Sequence, residues 1–245
     1  MARQWSAKPY RCKSLRRFDS CSRLKNFYCC MIRTSVINSL IKKNNYKSYL
    51  EIGVNDPDNN FNLIECEIKE CVDPYTAESF AVTNLPDLSK NDTSFLTYRM
   101  TSDEFFDKVN KKYDLIFIDG LHTEEQSSRD LMNAMYHLNP GGKIVLHDSC
   151  PYHEEYQVAN AEDAEDGVPW LGQVWKTIYK LHDAGDFYYN TIAYEPGLTI
   201  VDYSEQIPNL DYKLDLEYAE ARSDKQSWVD YLHMIDAYDF LLAYL

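Results

Sequence analysis

Long hydrophobic runs are missing from this sequence. No stretch of its 245 residues approaches the roughly 18 consecutive apolar residues that a membrane-spanning helix needs, so no membrane partner is expected. The basic N-terminus is not followed by an apolar segment of about 7–15 residues, which argues against a secretory signal. The seven cysteines are odd in number and show no zinc-ligand spacing, so we expect free thiols in a reducing, cytoplasmic compartment.

A glycine-rich fingerprint is also absent. Dinucleotide-binding sheets hold a pyrophosphate with the pattern Gly-x-Gly-x-x-Gly, which does not occur in this chain. An oxidoreductase that uses a nicotinamide cofactor is therefore the weaker alternative. A nucleoside ligand without a pyrophosphate is favoured instead.

Positive charge is scarce beyond the N-terminus. Residues 1–30 carry eight Lys and Arg against one acid, whereas the rest carries 17 against 38, for a net charge of −14. Such an acidic body repels phosphates, so nucleic acid is not expected as a partner. We expect residues 1–30 to form a basic, disordered extension, with an arm that binds an anionic surface as the alternative.

The sequence does contain an alternation of strand-like and helix-like segments. Apolar residues at helical spacing predict an amphipathic helix over about 33–44. Strands follow at 49–54, 70–73, 95–100, 114–119 and, after a turn at 139–142, at 144–146. Residues 75–95 are loop-like, and further helices are predicted near 61–65, at 102–110 with Ser102 as the cap, and at 123–138. The alternation indicates βαβ crossovers and a parallel sheet.

The last hundred residues are less regular. An acidic segment over 152–168 is either a lid or a solvated surface loop. A helix is predicted at 170–181, and two strands at 186–193 and 198–203 are joined by a hairpin turn. The aromatic-rich tail over 227–245 is predicted to be helical. We expect a domain over 31–205 and a helical extension over 206–245 that packs on it.

Two of the predicted strands end abruptly in acid and imidazole groups. Asp119 and His122 follow one apolar run, and His147 and Asp148 follow the next. Ligands of open α/β sheets bind just outside the carboxyl ends of such strands. Carboxylates and imidazoles there could form part of a Mg²⁺ or Mn²⁺ site, or His122 could act as a general base. Hydrogen-bonded structural histidines are the alternative.

A second group of residues lies at the ends of the first two strands. Gly53 lets the backbone approach a ligand closely, and Asp73 follows at the spacing of an acid that binds ribose hydroxyls. A purely structural role is equally open for both. Four aromatic residues could wall a substrate pocket or belong to the core, namely Tyr152, Tyr156, Trp170 and Trp175.

Seven short motifs occur together. They are Tyr49-Leu-Glu-Ile-Gly-Val, Val72-Asp-Pro, Met100-Thr-Ser-Asp-Glu-Phe-Phe, Phe117-Ile-Asp-Gly-Leu-His, Asn139-Pro-Gly-Gly, Leu146-His-Asp and Gly172-Gln-Val-Trp-Lys. In combination they resemble the class I S-adenosylmethionine-dependent methyltransferases. Within this class they resemble methyltransferase family 24, a branch related to macrolide-sugar O-methyltransferases and cephalosporin-hydroxylase-like proteins. The resemblance covers about residues 31–203.

The resemblance implies a fold and an activity. The fold is a Rossmann-like three-layer α/β sandwich with a mostly parallel seven-stranded sheet and an antiparallel last strand. The activity is transfer of a methyl group from S-adenosylmethionine to the oxygen of a small hydroxylated or sugar-like acceptor, with or without the help of Mg²⁺ or Mn²⁺. The acceptor itself and the oligomeric state are not implied.

The resemblance also implies roles for single residues. On the cofactor side, Glu51 and Gly53 approach the methionine moiety, Asp73 takes the ribose hydroxyls, and Thr101 and Ser102 lie beside the adenine. On the acceptor side, Asp119 has both a cofactor-binding and a catalytic role.

For the remaining acceptor-side groups, the resemblance implies that His122 is the base. Asp119, His147 and Asp148 are then the metal ligands.

One position departs from the family pattern, because Pro57 stands where a glycine is usual. Proline fixes φ near −65° and cannot donate a backbone N–H. This departure keeps open the alternative of a catalytically degenerate protein that uses the fold as a binding module.

Overall fold

The computed structural model describes residues 21–74, 95–194, 196–223 and 225–236. Residues 1–20 of the expected extension, most of the expected loop at 75–95 and the last nine residues of the tail lie outside these ranges. In the described part of the chain, no helix is both long enough and apolar enough to cross a membrane.

The centre of the molecule is an eight-stranded sheet of order β3-β2-β1-β4-β5-β7-β6-β8. Its strands in chain order are β1 Ser48–Ile52, β2 Ile68–Val72, β3 Phe95–Tyr98, β4 Tyr113–Ile118, β5 Leu138–His147, β6 Tyr189–Ala193, β7 Leu198–Asp202 and β8 Met234–Asp236. Neighbours are parallel except that β7 runs antiparallel to both β5 and β6. The predicted fold class and the antiparallel seventh strand are confirmed, and β8 is an addition to the seven expected strands.

Helices cover both faces of the sheet. In chain order they are α1 Cys21–Asn44, α2 Ser102–Lys108, α3 Glu124–Tyr136, α4 Val174–Asp183, α5 Tyr218–Ser223 and α6 Lys225–Leu232. Alternate residues of β4 point to opposite faces: Leu115 and Phe117 join a core with α1, whereas Ile116 and Ile118 join the core of the other helices. The central strands are therefore apolar on both sides, as their continuous hydrophobic runs predict.

Several predicted boundaries are wrong. Helix α1 begins at Cys21 rather than near residue 33, so residues 21–30 belong to the helix. Residues 21–30 contain neither glycine nor proline, so no helix-breaking residue separates them from the predicted helix. The predicted turn at 139–142 lies inside β5, which reaches Leu138 through a register shift against β4. The short helix predicted near residue 61 is two 3₁₀ turns, Pro57–Asn59 and Phe61–Leu63.

The C-terminal segment also differs from the prediction. It forms α5, α6 and the short strand β8, which pairs with β6 at the sheet edge. Trp228 and Leu232 of α6 are buried in the same core as Trp175 and Ile178 of α4. A three-residue strand inside an aromatic-rich, helix-like sequence leaves no pattern of its own, so the sequence predicted only helix there.

Candidate active site

The site is built where β1 and β4 end side by side. Gly53 leaves β1 with φ +79°, and a Cβ atom at this position would lie 2.1 Å from the carbonyl oxygen of Asp119. Asp119 N donates to Ile52 O at 2.8 Å, so the two strand ends remain paired beyond the sheet. Only glycine fits this crossing, because any side chain would collide with the Asp119 backbone. Gly53 therefore fixes where Asp119 stands.

Asp119 is the centre of a cluster of charged side chains. Its Oδ1 lies 3.3 Å from His122 Nε2 and 3.3 Å from His147 Nδ1. Its Oδ2 accepts a hydrogen bond from Arg33 Nη1 at 2.9 Å. Asp148 completes the cluster, with Oδ1 3.1 Å from His147 Nδ1 and Oδ2 3.2 Å from His122 Nε2. The structure thus brings together all four acid and imidazole residues predicted at the two strand ends.

His122 is held on its outer side by the segment that precedes α4. Its Nδ1 lies 3.1 Å from Trp170 O, and its ring stacks on the Trp170 indole with centroids 5.1 Å apart. Gln173 N donates to His122 O at 2.7 Å. Gly172, at φ +61°, allows this close approach, since a Cβ there would lie 2.1 Å from His122 O. These contacts fix the imidazole so that Nε2 faces the two carboxylates.

Asp148 has an unusual backbone conformation. Its φ of +55° is in the left-handed region, which is uncommon for residues other than glycine. Such conformations cost about 1–3 kcal/mol and are concentrated at functional sites. The turn allows Asp148, directly after His147 at the end of β5, to bring both carboxylate oxygens toward the cluster.

The charged groups of the cluster shift one another's pKa values. Burial alone would raise the pKa of Asp119, but the charge of His147 and hydrogen bonds from both imidazoles hold it well below its usual range. Burial alone would lower the pKa of His122, but the charge of Asp148 and the contact with Asp119 raise it to about 9. The same two carboxylates raise the pKa of His147 well above its ordinary value despite its burial. Without a bound cation, His122 therefore carries a proton at neutral pH.

The donor set fits a divalent cation. One ligand atom from each of Asp119, His122 and Asp148 lies within 4.8 Å of the other two. Adjacent ligands of an octahedral ion with bonds of about 2.1 Å stand about 3 Å apart, and the contacts of His122 with the carboxylates measure 3.2 and 3.3 Å. His122 is thus a candidate ligand as well as a candidate base. His147, expected as a ligand, contacts both carboxylates through Nδ1.

The cofactor-side residues lie at the ends of β1 and β2. Asp73 Oδ2 accepts hydrogen bonds from Val54 N at 2.9 Å and Asn55 N at 3.1 Å, so this carboxylate shapes the loop that follows Gly53. Glu51 is only 1% exposed. Its Oε2 accepts from the Tyr49 hydroxyl at 2.6 Å and from Asn60 Nδ2 at 3.0 Å. Burial raises the pKa of Glu51 to about 7.

Thr101 and Ser102 stand at the start of α2. Thr101, rather than the predicted Ser102, is the cap: its Oγ1 accepts from Glu104 N at 3.2 Å, and Glu104 Oε2 accepts from Thr101 N at 3.1 Å. This reciprocal pair is a capping box. Ser102 Oγ accepts from Gln126 Nε2 at 3.2 Å, which ties α2 to α3.

Pro57 is accommodated without distorting the loop. It is the first residue of the 3₁₀ turn Pro57–Asn59, whose cap Asp56 accepts from Asp58 N at 3.0 Å. Proline suits such a position because its missing N–H has no helical partner there. The left-handed residue of the loop is Asn55, at φ +51°, so the turn does not need glycine at position 57.

The four aromatic residues separate into two groups. Trp175 is fully buried and packs against Tyr179, Tyr218 and Trp228, so it belongs to the core and not to a pocket wall. Of these four residues, Trp170 is the one that stacks on His122. Tyr156 O accepts from Leu171 N and Gly172 N and so supports the Trp170 segment, while Tyr152 packs against the core.

Arg33 is a site residue that the sequence did not single out. It lies on α1, 86 positions before Asp119 in the chain, and within a helix whose apolar spacing predicts only packing. A lone arginine in an amphipathic helix is usually solvated, so no sequence pattern distinguishes it. Only the position of α1 against the ends of β1 and β4 brings it to the cluster.

Comparison with known proteins identifies the class. Residues 34–149 match the family model described as a methyltransferase domain. This match confirms the methyltransferase class expected from the motifs. Among curated proteins, none matches the chain at a significant level.

Solved structures with the same fold are distant in sequence. A Staphylococcus aureus protein assigned as a caffeoyl-CoA O-methyltransferase has a TM-score of 0.53 and 19% identity, over 76% of this chain and 93% of that one. The O-methyltransferase TomG from Streptomyces achromogenes, in complex with S-adenosylmethionine and involved in tomaymycin synthesis, has a TM-score of 0.50 and 11% identity, over 77% and 91%. At these identities the similarity establishes the class I methyltransferase fold.

Proposed function

We propose that this protein transfers a methyl group from S-adenosylmethionine to the oxygen of a small hydroxylated or sugar-like acceptor. The observation that carries the proposal is the cluster of Asp119, His122, His147 and Asp148, assembled directly beside the Gly53 loop. The structure of TomG, which was solved with S-adenosylmethionine, supports the choice of cofactor. A cytoplasmic location remains a prediction from composition.

The cofactor supplies an electrophilic methyl group, and the residues at the ends of β1 and β2 bind and orient it. Asp73 holds the loop after Gly53 through Val54 N and Asn55 N, and in this proposal its carboxylate also binds the ribose hydroxyls. Because Gly53 has no side chain at this tight crossing, only its backbone atoms would face the methionine moiety. Orienting the reacting groups in line is the main contribution that such a scaffold makes to the rate.

The acceptor side must bind a hydroxyl group and take its proton. His122 Nε2 and Asp148 Oδ2, 3.2 Å apart, can hold one proton between them. Because its pKa is raised to about 9, His122 acts as a base only after the cluster has lost a proton. Mg²⁺ or Mn²⁺ held by Asp119, His122 or His147, and Asp148 would supply Lewis acidity and offset the carboxylate charges that raise this pKa.

The test combines cofactor binding with turnover. Isothermal titration with S-adenosylhomocysteine, with and without Mn²⁺, should show binding that Asp73→Asn weakens by about tenfold or more, the value of one lost charge-assisted hydrogen bond. Formation of S-adenosylhomocysteine with a panel of hydroxylated and sugar acceptors should fall roughly 100-fold in His122→Gln. The exposed His153→Gln is the matched control and should leave both unchanged.

Two outcomes would replace the proposal. A folded protein that binds no S-adenosylhomocysteine under either condition is the degenerate binding module. Binding of NAD(H) in its place would support the nicotinamide-dependent oxidoreductase.

A further inference from the structure

The two carboxylate oxygens of Asp119 contact different groups, because Arg33 binds one of them. The guanidinium Nη1 lies 2.9 Å from Oδ2, whereas Oδ1 alone faces His122 and His147. The side chains of Arg33 and Asp119 are only 11% and 17% exposed, so water competes weakly for this contact. Arg33 also precedes the segment 34–149 that matches the methyltransferase domain, so the family match gives it no role.

The arginine is itself held in place by two other elements. Nη2 donates to Asn59 O at 3.4 Å, in the 3₁₀ turn after β1. The guanidinium carbon lies 6.0 Å from the centroid of the Phe117 ring of β4. Because the guanidinium is planar and permanently charged, these contacts fix the direction from which it approaches Asp119. The Oδ2 atom is therefore occupied in a constant geometry.

We infer that Arg33 is a positioning residue that restricts Asp119 to one available oxygen and thereby selects the cation at the cluster. This inference rests on the ion-assisted form of the proposed function. Calcium takes six to eight oxygen ligands at about 2.3–2.6 Å and often uses both oxygens of a carboxylate, whereas magnesium requires a compact octahedron. An Asp119 limited to Oδ1 disfavours calcium.

The remaining donors distinguish between the smaller ions. An imidazole from His122 or His147 suits first-row transition ions better than Mg²⁺, and carboxylate oxygens suit Mn²⁺. The expected order of affinity is therefore Mn²⁺ above Mg²⁺ above Ca²⁺. In this arrangement Arg33 does not touch the ion, and it acts only through Asp119.

The experiment measures the ratio of Mn²⁺ to Ca²⁺ affinity in the full-length protein. Free Mn²⁺ is followed by electron paramagnetic resonance, and Ca²⁺ is added as the competitor. We expect the wild-type ratio to exceed tenfold and to fall by tenfold or more in Arg33→Gln, because Asp119 becomes free to use both oxygens. Loss of one positive charge alone would strengthen both ions and leave their ratio unchanged, so the ratio separates positioning from simple electrostatics.

Two further variants complete the design. Arg33→Lys keeps the charge but loses the planar fork, and it should lower the ratio by threefold or more if Arg33→Gln is too unstable to measure. Arg129→Gln removes an arginine that pairs with Asp103 away from the cluster and should change nothing. Wild-type protein that binds no Mn²⁺, or Arg33 variants with the wild-type ratio, would overturn the inference. Titration with S-adenosylhomocysteine in parallel reports separately on the proposed function.

Discussion

At the scale of single residues, the site depends on charged groups that are buried and paired. Arg33, His122 and His147 carry the positive charges that stabilise Asp119 and Asp148 away from water. A buried pair of this kind is costly to break, because the remaining charge has no solvent to replace its partner. Glu51 is also buried, and it accepts hydrogen bonds from Tyr49 and Asn60.

Glu51 gives a prediction for stability against pH. Burial raises its pKa from 4.5 to about 7, opposed by hydrogen bonds from Tyr49 and Asn60 and by the charge of Arg33, while the charge of Asp119 adds to the increase. The folded state thus keeps a proton that the unfolded chain releases between pH 4.5 and 7. The free energy of unfolding should decrease by about 3 kcal/mol from this group as the pH rises through that interval.

Glu51→Gln checks this prediction because glutamine keeps the shape and cannot titrate. Urea unfolding at several pH values should show that the variant lacks the decrease between pH 4.5 and 7 that the wild-type protein shows. Parallel profiles for the two proteins would contradict the raised pKa. Asp58→Asn, at an exposed position on the same loop, provides the control.

At the scale of elements, the ends of β1 and β4 and the segment before α4 position the site. The register of β1 on β4 places Ile52 opposite Ile118, so Gly53 and Asp119 meet just beyond the carboxyl ends of the two strands. The β5 strand runs parallel to β4 and brings His147 and Asp148 to the same edge. Asp119, His147 and Asp148 therefore stand at strand ends, whereas Arg33 comes from α1 and Trp170 from a loop.

At the crossing of Gly53 and Asp119, the single methyl group of an alanine at position 53 should strongly lower the free energy of unfolding. Gly53→Ala places a Cβ 2.1 Å from Asp119 O in addition to the strain of φ +79°. Gly141→Ala is the matched control, since its φ is +81° with no atom within 4 Å of the added Cβ. We expect Gly141→Ala to cost about 1 kcal/mol in unfolding free energy and Gly53→Ala at least 2 kcal/mol more, with weakened S-adenosylhomocysteine binding. Equal costs would show that the crossing can relax.

At the scale of the whole molecule, the C-terminal segment is part of one core with the methyltransferase domain. Trp228 lies 5.8 Å from both Trp175 and Tyr179, measured between ring centroids, and 5.7 Å from Tyr218. The segment also supplies β8 at the sheet edge. The chain from β1 to β8 is thus expected to unfold as one cooperative unit.

Trp228→Ala tests this expectation. The ring is 2% exposed, so its removal should cost about 3–5 kcal/mol and lower the midpoint of the entire unfolding transition. Val229→Ala, at a neighbouring residue that is 38% exposed, should cost less than about 1 kcal/mol. A separate early transition in Trp228→Ala, detected by circular dichroism and tryptophan fluorescence, would indicate that the segment is an independent unit.

The linear pattern of residues was enough to predict the alternating elements, the parallel sheet with an antiparallel seventh strand, and the four polar residues that follow β4 and β5. These features are local, since apolar runs and the acids that end them can be recognised without knowing what they contact. The motif order also identified the methyltransferase class. The role assigned to each site residue remains a prediction.

Which residues contact each other became known from the folded structure. In the fold, Arg33 of α1 contacts Asp119. Trp175 lies in the core and not in a pocket wall, and Pro57 begins a 3₁₀ turn. The fold also adds β8, whose three residues become a strand only because the edge of β6 is there to pair with them. Contacts between residues far apart in the chain depend on how helices pack across the sheet, and a linear pattern does not specify that packing.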